Sequence, residues 1–428
     1  MIASAPVMSP SSSQLSPRTS AILLITIMLV AIGLRLAAAW ALQHPLESDA
    51  LAYFTMAEGL AERGELADHY GQHAFYSAGY PLLLAPFFTI LGSSAGAAIA
   101  INLLLCMVSL GLIYRLGFAL SAQRSAGLLA AAAYALWLPG LWNATMLAKE
   151  NLTTPLLLGM ALCAIAIARD QRPMAAASVA GLLWGAALIT GGSALLLCLG
   201  VGAALLLLWR ARGRFAPAFA AGLCFVAGAA VLMAPWLYTT NQMVGRPVLT
   251  TNAAFNLYLG NNPAATGRFV SIADTPLGKD WNATRLRLGE VGNADRLQAE
   301  ALDWIAANPG AAARLAALKL AYFWQPNLPD AGEMAASKAV TAIRLVEVGQ
   351  YGLILLLGLF ALASQRVAPD AKWIFAAMIA GFWLIHAAAY IIVRYRDPVI
   401  PLLIVLAAVP VAAWIERFSA RRGLPDAA

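Results

Sequence analysis

The sequence is poor in charge. Lys and Arg number 28 and Asp and Glu 21, so charged residues make up 11% of 428, against about a quarter in a soluble domain. That excludes an ordinary soluble enzyme of this length. Cysteine is scarce as well: Cys106, Cys163, Cys198 and Cys224 each sit in an apolar run. None has metal-ligand spacing, which excludes a zinc module and argues against a disulfide framework, and they read as small core residues. There is no nucleotide-binding glycine loop, no internal repeat and no stretch polar enough to be a separate soluble domain. A net charge of +7 would suggest nucleic acid in a soluble protein. Here the basic residues fall between apolar runs, as in the cytoplasmic loops of membrane proteins, so no nucleic-acid partner is expected.

What the chain has is apolar length. It is 61% hydrophobic, and runs of about 18 residues or more recur along it, which defines an all-α polytopic membrane protein. About ten transmembrane helices are expected, at 21–42, 95–118, 125–141, 152–168, 174–190, 194–209, 216–237, 338–363, 373–393 and 399–415. With the N-terminus in the cytoplasm, the inner loops collect Arg115 and Arg124, Arg169 and Arg172, Arg210, Arg212 and Arg214, Arg366 and Lys372, and Arg417, Arg421 and Arg422. That distribution obeys the positive-inside rule. Residues 1–20 are Ser/Pro-rich and are expected to be a disordered cytoplasmic tail. The following run is too long for a signal-peptide core and reads as a retained helix, cleavage after its Ala run being the alternative. The segment 80–92 has only 13 residues and two prolines, so it is expected to be interfacial or re-entrant. The chain then divides into an N-terminal transmembrane core at 21–237 with a first outer loop at 43–94, a large outer loop at 238–337, C-terminal helices at 338–416 and a cytoplasmic tail at 417–428. The large loop is longer than a connection requires. Its Asn308-Pro309 divides a helical pattern in two, and the second half, with Leu315, Leu318, Tyr322 and Phe323 on one side, suits the membrane surface.

The few acids are placed unevenly. Glu47 and Asp49 follow the first span in "HPLESDALAYFTMAEGL", and Asp49, Tyr53 and Ala57 share one helix face. Glu150 lies beside Lys149 in the outer corner "NATMLAKEN". Two acids from separate outer loops could face each other, and such a pair can take a proton, orient a nucleophile or hold a divalent cation. Each could equally cap a helix or sit solvated. His69 and His73 lie four apart and on a helix could join a metal site, or they are solvated loop residues. Arg35 lies roughly 10 Å below the end of its helix. It either snorkels outward or binds phosphate. Arg394 and Arg396 in "YIIVRYRDPVIPLL" fall on the same side as the acids. With Asp397 and Pro398 starting the next helix they could form a phosphate site, the alternative being contact with lipid head groups. "NNPAATG" is a plain loop or a lid; Asn143, Asn151 and Asn282 open glycosylation-type triplets and are given no role.

"ESDALAYFTMAEGLAERGEL" followed by "YSAGYPLLLAPF" resembles the first outer loop of the GT-C membrane glycosyltransferases, in the branch of protein O-mannosyltransferases and aminoarabinose lipid A transferases. "MLAKENLTTPLLL" resembles the family's second acidic motif, and "LYLGNNPAATGRFV" and "RYRDPVIPLL" its late outer loop and last span. The resemblance implies a polyprenyl-phosphate-linked sugar donor, an acceptor glycan, lipid or protein, and inverting transfer at the outer face of a bacterial inner membrane. It makes Asp49 the base toward an acceptor hydroxyl and Glu150 the residue that positions acceptor or metal. Donor-phosphate contacts are expected from Arg394, Arg396, Arg35 and Lys149, and substrate positioning from Tyr53, Tyr80, Asn261 and Asn262. A divalent cation (Mg, Mn or Zn) would rest on Asp49 and Glu150 with His69 or His73. Two departures stand out: relatives often carry a basic residue where this chain has Tyr76 and Ser77, and an Arg where it has Gly191 and Gly192. The rival class is a transporter or flippase of lipid-linked sugars. Such a protein should place its polar groups near the bilayer midplane, whereas these acids gather at one face.

Overall fold

A computed structural model describes residues 15–421. Its helices are α1 (Pro17–Ala41), α2 (Ser48–Arg63), α3 (Gly79–Leu91), α4 (Ala95–Ser121), α5 (Arg124–Ala135), α6 (Leu138–Ala144), α7 (Glu150–Ala168), α8 (Pro173–Thr190), α9 (Cys198–Arg212) and α10 (Phe215–Val244). They continue with α11 (Asn252–Gly260), α12 (Trp281–Ala307), α13 (Pro309–Phe323), α14 (Ala331–Ala336), α15 (Lys338–Ala363), α16 (Pro369–Ile385) and α17 (Ile400–Arg421). Among the described residues the only β pairing is an isolated bridge between Arg268 and Ile391. The expected all-α polytopic membrane protein is what the chain forms.

The span count is smaller than expected. Eight helices are long and apolar enough to cross a membrane, and α5 with α6 makes a ninth, bent by 60°. The expected spans at 125–141 and 373–393 are the ones that change. The first is the bent pair. The second is shorter than expected: α16 stops at Ile385 after 17 residues, about 26 Å of rise, at the lower limit for a hydrocarbon core of ~30 Å. The apolar run continues, but its backbone is bonded elsewhere: Ile391 N–H donates to Gly267 at 3.0 Å, and the carbonyls of Ala387 and Ala388 accept from Lys319 and Asn261. Helix α3 spans 13 residues, ~20 Å, too short to cross. It buries Tyr80, Leu84 and Phe88 against α2 and α4. Gly79 brings it against α8, for a Cβ there would strike the Thr190 side chain and backbone.

The spans pack through small residues, as membrane helices must when apolar burial alone cannot distinguish a neighbour from lipid. A Cβ on Gly181 of α8 would meet the Phe225 carbonyl of α10, and one on Gly228 of α10 the Ser178 carbonyl of α8. Helix α1 begins at Pro17, inside the segment expected to be a tail; residues 1–14 and 422–428 of the two expected tails lie outside the described residues. At the Arg-rich end, Arg169 pairs with Asp370 at 2.6 Å and Arg212 with Asp170 at 2.5 Å. The other end carries α2, α3, the corner between α6 and α7, helices α11–α14 and the segment 386–399.

Candidate active site

Both expected acids occupy the first turn of a helix, Asp49 in α2 and Glu150 in α7. There the positive end of the helix dipole favours a carboxylate. Ser48, just before Asp49, has φ 50°, a conformation that strains a residue with a Cβ. The two acids meet through Arg394. Its Nη2 donates to Asp49 Oδ2 at 2.6 Å, and its Nε lies 3.8 Å from Glu150 Oε1. The last distance is an ion pair without a hydrogen bond, so Nε has no hydrogen-bond partner. Glu150 is nearly buried, 8% exposed, whereas Asp49 at 38% and Arg394 at 32% are open to a ligand. Burial opposes the charge on Arg394, but Glu150 and Asp49 outweigh it and hold the guanidinium more firmly protonated.

Two cavities meet at this cluster. One, of about 370 Å³, is largely apolar, lined by Leu188, Leu195, Phe382 and Ile385 with Lys149 and Glu150 at its polar part. The other, of about 440 Å³, holds Asp49 and Arg394 and has aromatic walls that include Phe75, Phe255, Trp281 and Tyr390. Asn256 and Tyr395 line both.

The fold, as distinct from the site, is shared with a solved membrane protein. No family profile and no curated protein matches the chain by sequence. An Archaeoglobus fulgidus oligosaccharyltransferase, crystallised with Zn and sulfate, superposes with a TM-score of 0.53 over 93% of this chain and 50% of its own, at 13% identity. The chain shares that protein's fold. It spans half the length of that protein. ArnT from Cupriavidus metallidurans, bound to undecaprenyl phosphate, is similar over 87% of this chain and 77% of its own, with a TM-score of 0.45 and 15% identity.

Within this chain the corner that carries Glu150 is tied down from all sides. Asn151 Nδ2 donates to the carbonyls of Asn143, Met146 and Ala148. Asn102, a lone amide in span α4, donates to Ala144 and Met146, and its Oδ1 accepts from Tyr80 at 2.7 Å. Tyr80 is thus fully buried against the corner and lines neither cavity. Tyr53 is buried beneath Asp49 and meets Tyr76 and Tyr80 edge-on. Burial, then the charges of Asp49 and Glu150, hold its hydroxyl well above the usual tyrosine range, so it stays a neutral donor.

The remaining expected residues separate. Lys149 lies in the apolar cavity, its Nζ 3.5 Å from where a Cβ on Gly191 would stand. Arg35 neither snorkels nor reaches the cluster: it donates to the carbonyls of Ala31, Tyr134 and Ala135 at the bend after α5. Arg396 points away from Arg394, bonding the Gln325 carbonyl and stacking 3.9 Å over Tyr351. Asn261 and Asn262 are buried clasps rather than a lid, Asn261 binding the Ala388 carbonyl and Asn262 the Ala264 amide. His69 and His73 lie in the irregular segment after α2, so they share no helix face. His73 Nδ1 is 2.8 Å from the Leu66 carbonyl, and no group of three or more His, Cys, Asp or Glu converges on a metal among the described residues. Three residues with site-building roles went unforeseen: Asn102; Glu290, which accepts from the His73 and Ala74 amides and from Thr251; and Lys319, which bonds Asn261 Oδ1 at 3.1 Å and has its pKa pulled down to about 8 by burial.

Two predictions concern the frame rather than the chemistry. Because Arg396 is buried with its charge on Gln325 and Tyr351, Arg396→Ala should cost ~2 kcal/mol or more of stability. A lowered thermal midpoint in detergent checks this. Asp397 accepts from Asn143 Nδ2 at 2.7 Å and faces a cavity of about 20 Å³, space for roughly one water. That is too little water for a carboxylate, and burial pushes its pKa up to about 7. A raised acid binds its proton more readily in the folded state. Stability should therefore fall as pH rises from about 4, its unfolded pKa, to about 7 and then level off. Asp397→Asn should flatten that slope and raise the midpoint above pH 7; an unchanged pH profile would contradict it.

Proposed function

We propose that this chain is an integral-membrane glycosyltransferase. It moves a sugar from a polyprenyl-phosphate-linked donor onto an acceptor hydroxyl or phosphate at the outer face of the membrane, in a bacterium the periplasmic face of the inner membrane. The observation that carries the reading is the Asp49–Arg394–Glu150 cluster between an apolar and an aromatic-walled cavity. The apolar cavity suits the prenyl-phosphate end of the donor, with Lys149 near its phosphate. The other cavity suits the acceptor. The reaction is then a single inverting displacement. The acceptor oxygen bonds the anomeric carbon as the bond to the phosphate oxygen breaks, the acceptor proton passes to Asp49, and polyprenyl phosphate leaves with the electron pair. Taking up that proton weakens Asp49's hold on Arg394. The guanidinium, with an Nε already unpartnered, is then free to meet the charge growing on the phosphate.

A divalent cation would be held by Asp49 and Glu150, an all-oxygen pair that suits Mg or Mn better than Zn. Arg394 would have to leave its place between them, and no step above requires it.

The test is incubation of the purified chain with polyprenyl-phosphate sugars, following donor loss and release of polyprenyl phosphate. Consumption of a donor by the wild type and not by Asp49→Asn supports the reading; failure to consume any donor overturns it. Activity lost in a chelator and restored by Mn or Mg would assign the cation.

A further inference from the structure

The aromatic-walled cavity contains a cation that the transfer reaction does not use. Arg285 of α12 lines it opposite the catalytic cluster. In this cavity Asp49 and Arg394 neutralise each other. Among the described residues no carboxylate lies within ion-pair distance of Arg285, and its buried Nε has no partner. Of the acids on the neighbouring elements, Asp68 accepts through Oδ1 from the Tyr70 and Gln72 amides at 2.8 and 2.9 Å while its buried Oδ2 has no hydrogen-bond partner, and Glu290 accepts through both oxygens from the His73 and Ala74 amides. Yet Arg285 is held in place, 4.5 Å over the Tyr70 ring and 3.5 Å from Gln72 Oε1. A fixed, half-buried guanidinium with no carboxylate at ion-pair distance is a site for an anion, which it can meet with two N–H groups at once. The surrounding walls are flat and apolar, with Phe75, Phe255 and Trp281 in edge and tilted contact, surfaces that cover the C–H face of a sugar ring.

We propose that this cavity takes an acceptor glycan or glycolipid head group bearing an anionic substituent, a phosphate or a carboxylate, and that Arg285 selects for it. The word acceptor rests on the glycosyltransferase reading; the anion site does not. The full chain in lipid nanodiscs is titrated calorimetrically with glucose 6-phosphate, glucuronate and neutral glucose. Wild type should bind at least one of the two anions about 10- to 100-fold more tightly than glucose, and which one distinguishes phosphate from carboxylate. Arg285→Gln should abolish that preference while leaving glucose binding as it was. Arg287→Gln, an exposed neighbour, should keep it. Equal binding of all three probes by wild type, a preference that survives Arg285→Gln, or a loss of glucose binding equal to that of the anions would each overturn the proposal, the last because it marks Arg285 as only a brace for Tyr70 and Gln72. Undecaprenyl phosphate is titrated in parallel; weaker binding in Arg285→Gln would move the residue to the donor and also overturn it. Donor consumption without acceptor is measured separately. An Arg285-dependent anion preference in a chain that consumes no donor would sink the glycosyltransferase reading and leave the anion site standing.

Discussion

Asp49→Asn should lower turnover at least about 10²-fold, and up to ~10⁴-fold, the range general-base help supplies. The substitution keeps the shape of the side chain, and Asn can still accept a hydrogen bond from Arg394 Nη2, now 2.6 Å from Asp49 Oδ2. What it removes is the proton acceptor and one of the two negative charges beside the guanidinium. Folding should change little, because the side chain is partly exposed and makes no other bond of the frame. Donor binding should also persist, since the apolar cavity is built without Asp49. The measurement is turnover at saturating donor, with the thermal midpoint as a control. Turnover near that of the wild type would remove Asp49 as the base. Glu150→Gln makes the companion measurement: buried in the first turn of α7, Glu150 is better placed to anchor Arg394 than to exchange protons. If Glu150→Gln is the more damaged of the two, the roles are reversed.

The acids were legible because a charge at the end of an apolar run is rare enough to notice, and so was the helix break at Asn308-Pro309. The end of α16 was not. "HAAAYIIV" is apolar and reads as a continuing helix, but its backbone partners are distant: Gly267 and Asn261 lie more than 120 residues away in the loop after α11, and Lys319 lies 68 residues away in α13, and hydropathy carries no record of distant hydrogen bonds. The same blindness hid the contrast between Arg394 and Arg396. Two residues apart in the 3₁₀ turn Val393–Arg396, they leave in different directions, one to the carboxylates and the other to Tyr351. Lys319 sits where α13 should be apolar, between buried Leu315 and Phe323, and its burial is explained by carbonyl oxygens from two other segments. Asn102 gave a faint signal, a single amide inside an apolar span, which in a membrane needs a partner.

Arg394 should be the second position with a large effect, and the manner of its failure separates two roles. Its guanidinium spans two carboxylates at once, with Nη2 on Asp49 at 2.6 Å and Nε 3.8 Å from Glu150. An ammonium is a point charge and cannot keep both contacts in that geometry. Arg394→Ala should therefore lower turnover by roughly 10²–10³-fold, the cost of losing one preorganised donor to the developing charge, and Arg394→Lys should restore only part of it. A residue that touched only lipid head groups would be replaced by Lys without loss. A residue that merely held the fold would fail through stability, so the thermal midpoint of each variant must be read beside its rate. Combination with Asp49→Asn is the sharper test. If Arg394 acts on the phosphate only after Asp49 has taken the proton, the two groups work as one device and their losses will not multiply. The double variant Asp49→Asn/Arg394→Ala should be little slower than the worse single variant. Losses that multiply fully would mean that the salt bridge joins two independent functions, and the coupling of proton uptake to phosphate departure would be wrong.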